Sequence, residues 1–230
     1  MRRPLIALIV AFIALILIGC QARHPPRMRT RVLFEELFRE PPLLTDRWEI
    51  HEARDAILGP SKWFLKDSAI WQTSNIFRKG EWERVALQGS TLVTRGGQEW
   101  DDCQITVKFK STDDDGVGVV FRYRDEEHHY RFITVEDKEN GGPFRRLQVL
   151  DGKNITTLAE TTLGYNRGES HTIRIRTAGP DLQVWFDGDE LSAKSSLFRQ
   201  GKIGLLTYAE NPIAFYFVRV TKEEPEPDPG

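Results

Sequence analysis

Three stretches of this 230-residue chain alternate basic and apolar side chains. They are GVGVVFRYRD (116–125) with Arg122 and Arg124, HHYRFITVE (128–136) with His129 and Arg131, and HTIRIRT (171–177) with Arg174 and Arg176. On an extended chain, period-two spacing sends neighbouring side chains to opposite faces. Val119, Phe121 and Tyr123 then share one face, and Val120, Arg122 and Arg124 the other. Tyr130 and Phe132 oppose His129 and Arg131, and Ile173 and Ile175 oppose Arg174 and Arg176. If these strands adjoin in one sheet, their arginines form a basic strip. Guanidinium groups match carboxylates and sulfates bidentately, so an accessible strip would hold an anionic glycan. On a solvated face, neighbouring Asp and Glu would simply neutralise it.

The acids offer less chemistry. Asp113, Asp114 and Asp115 gather hard oxygen ligands suited to a divalent cation, although their spacing is not that of an EF-hand loop. The competing reading is a solvated acidic turn before a strand. Cleaving a glycosidic bond takes two carboxyl groups flanking it. Glu81 and Glu83 would share a face if extended, but Lys79-Gly80 precedes them and no third carboxylate follows in phase, so the segment reads as loop. Trp82, in that polar loop, is the candidate platform for a sugar ring. The run Asp125-Glu126-Glu127-His128-His129 combines acids and imidazoles but falls between two strands, at a hairpin tip. No Gly-x-Ser-x-Gly elbow is present. We therefore assign no catalytic residue. Cys103 heads an apolar alternation and reads as a small buried side chain.

Positioning these residues falls to strands. About a dozen short β-branched or alternating segments fill the middle of the chain, punctuated by Asp114-Asp115-Gly116, Asp151-Gly152, Ala178-Gly179-Pro180 and Asp187-Gly188. The pattern predicts an antiparallel sandwich or barrel, and the absence of a blade repeat argues against a propeller. With 32 basic and 34 acidic residues the formal charge is −2, which gives no sign of nucleic-acid binding.

The first twenty residues, MRRPLIALIVAFIALILIGC, run from two arginines through an apolar stretch to Gly19 and Cys20. The apolar stretch is short for a membrane span and has signal-peptide flanks. Leu17-Ile18-Gly19-Cys20 resembles a bacterial lipobox. The resemblance implies cleavage before Cys20, acylation of its thiol and new N-terminus, and a membrane-anchored lipoprotein of the cell envelope. Gln21, where an Asp would resemble an inner-membrane retention signal, favours the outer membrane in a Gram-negative host. Cleavage removes two basic and no acidic residues, moving the charge from −2 to −4. It also leaves Cys103 without a disulfide partner. The expected organisation is a signal peptide (1–19), a basic lipidated tether (20–31), one β-domain (32–222) and a disordered acidic, proline-rich tail (223–230).

From residue 34 the landmarks fall into a familiar order. They are Phe34-Glu35-Glu36-Leu37-Phe38, Trp48, Trp63, Trp71, Trp100-Asp101-Asp102, Asp113 to Asp125, His129-Tyr130-Arg131-Phe132, Val184-Trp185-Phe186-Asp187-Gly188 and Gly201-Lys202-Ile203-Gly204-Leu205. This order resembles the concanavalin A-like jelly rolls: laminin-G-like modules, the C-terminal lectin-like domain of thrombospondins and the 3-keto-disaccharide hydrolase family. The resemblance implies a sandwich of two antiparallel sheets with FEELF as first strand. It also brings Ca²⁺ to mind for Asp113–Asp115, the one cofactor the sequence suggests. The expected function is a non-catalytic, lectin-like module binding carbohydrate or anionic glycan at the envelope. The rivals are a hydrolase of the 3-keto-disaccharide type and an adhesive module for an envelope protein.

Overall fold

The computed structural model describes residues 27–39, 46–78, 87–138 and 141–226. The signal peptide, Cys20, most of the tether, the Glu81-Trp82-Glu83 segment and residues 227–230 lie outside the described residues. In chain order the strands are β1 (Met28–Glu36), β2 (Trp48–Glu52), β3 (Ala56–Ile57), β4 (Trp63–Lys66), β5 (Ala69–Gln72), β6 (Phe77–Arg78), β7 (Ser90–Thr94), β8 (Gln104–Ser111) and β9 (Gly116–Asp125). They continue with β10 (His128–Val135), β11 (Phe144–Asp151), β12 (Asn154–Thr161), β13 (Ser170–Ala178), β14 (Asp181–Phe186), β15 (Asp189–Lys194), β16 (Lys202–Tyr208) and β17 (Ile213–Pro225).

Two large antiparallel sheets form the jelly roll. One has eight strands in the order β15-β14-β13-β8-β17-β5-β4, with β1 also on β17; the other has seven, in the order β12-β11-β10-β9-β16-β7-β2. FEELF begins inside the first strand, as expected, although β1 starts earlier and ends at Glu36. A compact unit spans Thr30–Lys222. The described ends form a separate small unit, in which Arg29 bridges Glu224 at 2.6 Å and the Glu226 amide donates to the Arg27 carbonyl at 2.7 Å. Ordered pairing therefore reaches into the stretch expected to be tail, because β17 runs on to Pro225.

The sheets differ in how their outer faces are treated. On β8, Ile105, Val107 and Phe109 are buried and Thr106, Lys108 and Lys110 face out. On β13, Ile173 and Ile175 point inward and Arg174 and Arg176 outward. That alternation marks a sheet with one wet face. In contrast, β9, β10 and β16 are buried on both faces. Val93, Val120, Ile133, Val135 and Leu206 make a second apolar cluster on the side away from the shared core, with Leu87 and Phe77 packed on it. This double burial takes polar side chains with it: His129, Arg131 and Thr134 are buried on β10.

One register expectation fails. Pairing between β9 and β16 shifts between Lys202↔Tyr123 and Gly204↔Val120, and Arg122 adopts φ 46°. A bulge inserts an extra residue and turns the following side chains over. Tyr123 therefore joins the Val120 cluster rather than the core face of Val119 and Phe121. Gly201 lies against the bulge: a Cβ there would sit 2.4 Å from the Arg122 carbonyl carbon, so only glycine permits this approach.

Candidate functional site

The structure splits the expected basic strip into three places. Arg122, 2% exposed, sits at the bulge and donates to the carbonyls of Phe198 and Gly179 at 2.9 Å and to Asp102 Oδ1 at 3.3 Å. It ties three loops together and offers a ligand little. Arg124 is exposed, with its guanidinium 4.9 Å from the Phe198 ring.

His129 and Arg131 share the outer face of the seven-stranded sheet but are buried beneath its cover. Arg131 donates through Nε and Nη2 to Gln148 Oε1, at 3.0 and 2.7 Å, and through Nη1 to the Leu87 carbonyl at 3.2 Å. Burial, with the nearby Arg146 charge, pulls its pKa down to about 9. His129 donates from Nδ1 to the Asp125 carbonyl at 3.0 Å and packs against Tyr123, ring centroids 5.3 Å apart. Burial first, then the Arg131 charge, holds its imidazole down to about 3. Beside it runs a polar chain with no motif in the sequence: Lys202 donates to Glu49 at 2.7 Å, His51 Nε2 lies 3.4 Å from Glu49, and His51 Nδ1 lies 3.2 Å from the Tyr123 hydroxyl. The Lys202 hydrogen bond lowers the Glu49 pKa, and burial raises that of the Tyr123 phenol. The space among His51, Tyr123, Glu126 and His129 is ≈ 10 Å³, at the lower bound for one water.

Arg174 and Arg176 stand apart from these on the outer face of the eight-stranded sheet. Arg174 lies opposite Thr106 on β8 and Trp185 on β14, and Arg176 opposite Gln104 and Gln183. The Arg174 guanidinium sits 4.4 Å from the half-buried Trp185 ring. Two open clefts run along this face. One, of ≈ 560 Å³, is lined by Gln104, Thr106, Thr172, Arg174, Trp185 and Asp187; the other, of ≈ 570 Å³, includes Arg176, Asp181, Gln183, Ser192 and Lys194. An aromatic face beside amide, hydroxyl and guanidinium groups can stack on a sugar ring and bond its hydroxyls. Trp48, Trp63 and Trp100 are buried core residues, so Trp185 carries this role among the described tryptophans better than they do.

Asp113, Asp114 and Asp115 each offer a carboxylate oxygen, all within 4.8 Å of one another. Asp113 accepts the amides of Asp114 (3.1 Å) and Asn211 (2.8 Å), Asp114 accepts Arg167 (3.2 Å), and burial raises the Asp113 pKa. Nearby, Glu210 is wholly buried against Ser111 and Tyr165, and burial raises its pKa well above its ordinary value. No sequence motif marks Glu210, which follows β16 in a loop. Cys103 is buried, as expected, and burial pushes its thiol up to about 11.

Residues 44–221 match the model of a family described as the 3-keto-alpha-glucoside-1,2-lyase-like domain. No curated protein sequence matches the chain. Among solved structures, the carbohydrate-binding module CBM66 from Bacillus subtilis matches with TM-score 0.54 and 12% identity, over 70% of this chain and 91% of its own. The β-glucanase of Bacillus licheniformis matches with TM-score 0.57 and 11% identity, over 82% and 97%. A Flavobacterium laminarinase matches with TM-score 0.59 and 10% identity, over 84% and 100%. At such identities the likeness is one of fold: a jelly-roll domain of the kind found in carbohydrate-binding modules and glycoside hydrolases.

Proposed function

The chain belongs to the 3-keto-alpha-glucoside-1,2-lyase-like domain family, and on that premise we propose that it is a lipid-anchored, non-catalytic carbohydrate-binding module of the cell envelope. The observation that carries the reading is the open, polar face around Trp185, with Arg174 stacked on its ring at 4.4 Å and amide and hydroxyl side chains beside it. The other sheet supports it from the opposite direction. Its outer face is packed with apolar side chains, and the space beside His51, Tyr123 and His129 is too small for a sugar. The anchor rests on the sequence of residues 1–20, and the outer membrane is the expected site in a Gram-negative host.

Two further parts belong to the proposal. Ca²⁺ is the ligand proposed for Asp113–Asp115, supported by the approach of three carboxylates within 4.8 Å. The second reading, an enzyme cleaving an oxidised sugar linkage, would draw on the Glu49–His51–Tyr123 chain to move a proton, and it requires the ≈ 10 Å³ space beside that chain to widen.

A glycan array probed with the 230-residue chain in detergent, with and without EDTA, tests the set. Uncleaved hits that Trp185→Ala weakens by about tenfold support the binding module, given about 1–2 kcal/mol for an aromatic contact. Hits that are cleaved transfer the protein to the enzyme class. Loss of binding in EDTA supports the metal site, and unchanged binding and melting in EDTA removes it. The mass of the N-terminal peptide tests acylation of Cys20.

A further inference from the structure

The same face carries information about ligand charge. Lys108 and Lys110 on β8, and Arg174 and Arg176 on β13, all point outward. Among the described residues, none of the four has a carboxylate within salt-bridge distance. Their cross-strand neighbours are neutral: Thr172 opposite Lys108, Ser170 opposite Lys110, Thr106 and Trp185 opposite Arg174, Gln104 and Gln183 opposite Arg176. On β17, Phe217 and Ala214 lie opposite the two lysines.

An ordinary solvated sheet face places opposite charges across its strands. The acids at the margin of this face form no ion pair with the four cations, and each has its own partner. Asp181 is held by Lys194 at 2.5 Å, and Asp187 by His171 at 2.5 Å and the Thr172 amide at 2.8 Å. Glu190 accepts from Gln183 at 3.1 Å, and Glu35 from Arg219 at 2.7 Å. Four cations therefore outnumber the carboxylates of Asp187 and Glu190 at the rim, leaving an excess of positive charge on an open face that an anion would complete.

Resting on the carbohydrate reading above, we infer that the ligand is a polyanionic glycan, built of uronate or sulfated sugars, lying across β14, β13 and β8. Adjacent strands are about 4.8 Å apart, and successive outward residues about 6.7 Å apart. That grid suits a chain carrying an anion on each sugar or on every second one. Arg174 and Arg176 take carboxylate or sulfate as paired donors, and Lys108 and Lys110 act as point charges along the track. Trp185 contributes the apolar surface for a ring, and its contact with Arg174 holds that guanidinium in place.

The test uses the 230-residue chain in detergent and four probes: polygalacturonate, sulfated dextran, neutral dextran and inorganic polyphosphate. Binding is read by affinity electrophoresis at low and high salt. The inference expects binding to at least one anionic glycan, weakened by salt, and a fall of about tenfold in the Arg174→Gln/Arg176→Gln double variant. Both side chains are exposed, so the variant keeps its fold, which circular dichroism checks. Binding of neutral dextran as tight as that of polygalacturonate, insensitive to the arginine variant but lost in Trp185→Ala, overturns the polyanion inference and leaves the carbohydrate module standing. Polyphosphate binding as tight as glycan binding also overturns it, reducing the face to bare charge attraction. An array and a probe set both blank overturn the inference together with the carbohydrate reading.

Discussion

The burial of His129 should make the stability of this domain fall in mild acid. Its Nδ1 donates to the Asp125 carbonyl, so Nε2 is the nitrogen that would have to take up a proton. The side chain is 3% exposed, with the Arg131 guanidinium already buried on the same strand face. Its folded pKa is lowered from 6.5 to about 3. Between those two values the unfolded chain binds a proton that the folded chain refuses, so stability decreases as pH falls through the window. At pH 5 the unfolded histidine is past its ordinary pKa by 1.5 units, a loss of about 2 kcal/mol relative to pH 7. The assay is urea unfolding followed by tryptophan fluorescence at pH 7 and pH 5, for the wild type and His129→Leu. Every other titrating group is present in both proteins, so the double difference isolates His129. The variant should lose about 2 kcal/mol less than the wild type on acidification. A double difference below about 0.5 kcal/mol, within the error of such cycles, or a folded-state His129 titrating near its ordinary value by NMR, would refute the buried neutral imidazole.

Glu210 should act in the opposite direction. Its folded pKa is raised above 4.5, so its contribution to stability is fully present below that value and is lost as pH rises through the folded pKa. Glu210→Gln should remove this loss, seen as a melting temperature that declines less than the wild type's as pH rises above 4.5. On the covered face, Gln148→Leu strips Arg131 of the acceptor for its Nε and Nη2 and should cost about 3–5 kcal/mol in chemical denaturation. Arg131→Met removes the buried charge itself and should cost under about 1.5 kcal/mol, so equal losses for the two variants would contradict this account. For binding, Trp185→Ala and the Arg174→Gln/Arg176→Gln pair should weaken glycan affinity while leaving unfolding unchanged.

The fold was readable because alternation is a local property. The run of Gln104 to Ser111 names its own inward and outward residues, and the same holds for β13 and β14. Asp187-Gly188 likewise announces the β14–β15 turn, where φ is 50° and 106°. Site residues were harder. Arg122 and Arg174 look alike in sequence, each the basic member of an alternating strand. One folds into a bulge whose carbonyl acceptors come from 57 and 76 residues away, and the other faces water. The chain Glu49–His51–Tyr123 joins residues 72 positions apart, and it depends on the bulge having turned Tyr123 over.

The sequence by itself determined an antiparallel β-domain, the inward faces of its strands as far as the β9 bulge, and the burial of Cys103. These follow from side-chain polarity and period, which the chain carries wherever it folds. Only the tertiary structure decided which arginines are structural and which are free. That choice turns on strand order: β10 lies in the sheet whose outer face is covered, and β13 in the sheet whose outer face is open. Burial beneath a cover and exposure on a wet face are properties of what lies above a residue, and no local pattern encodes the neighbour.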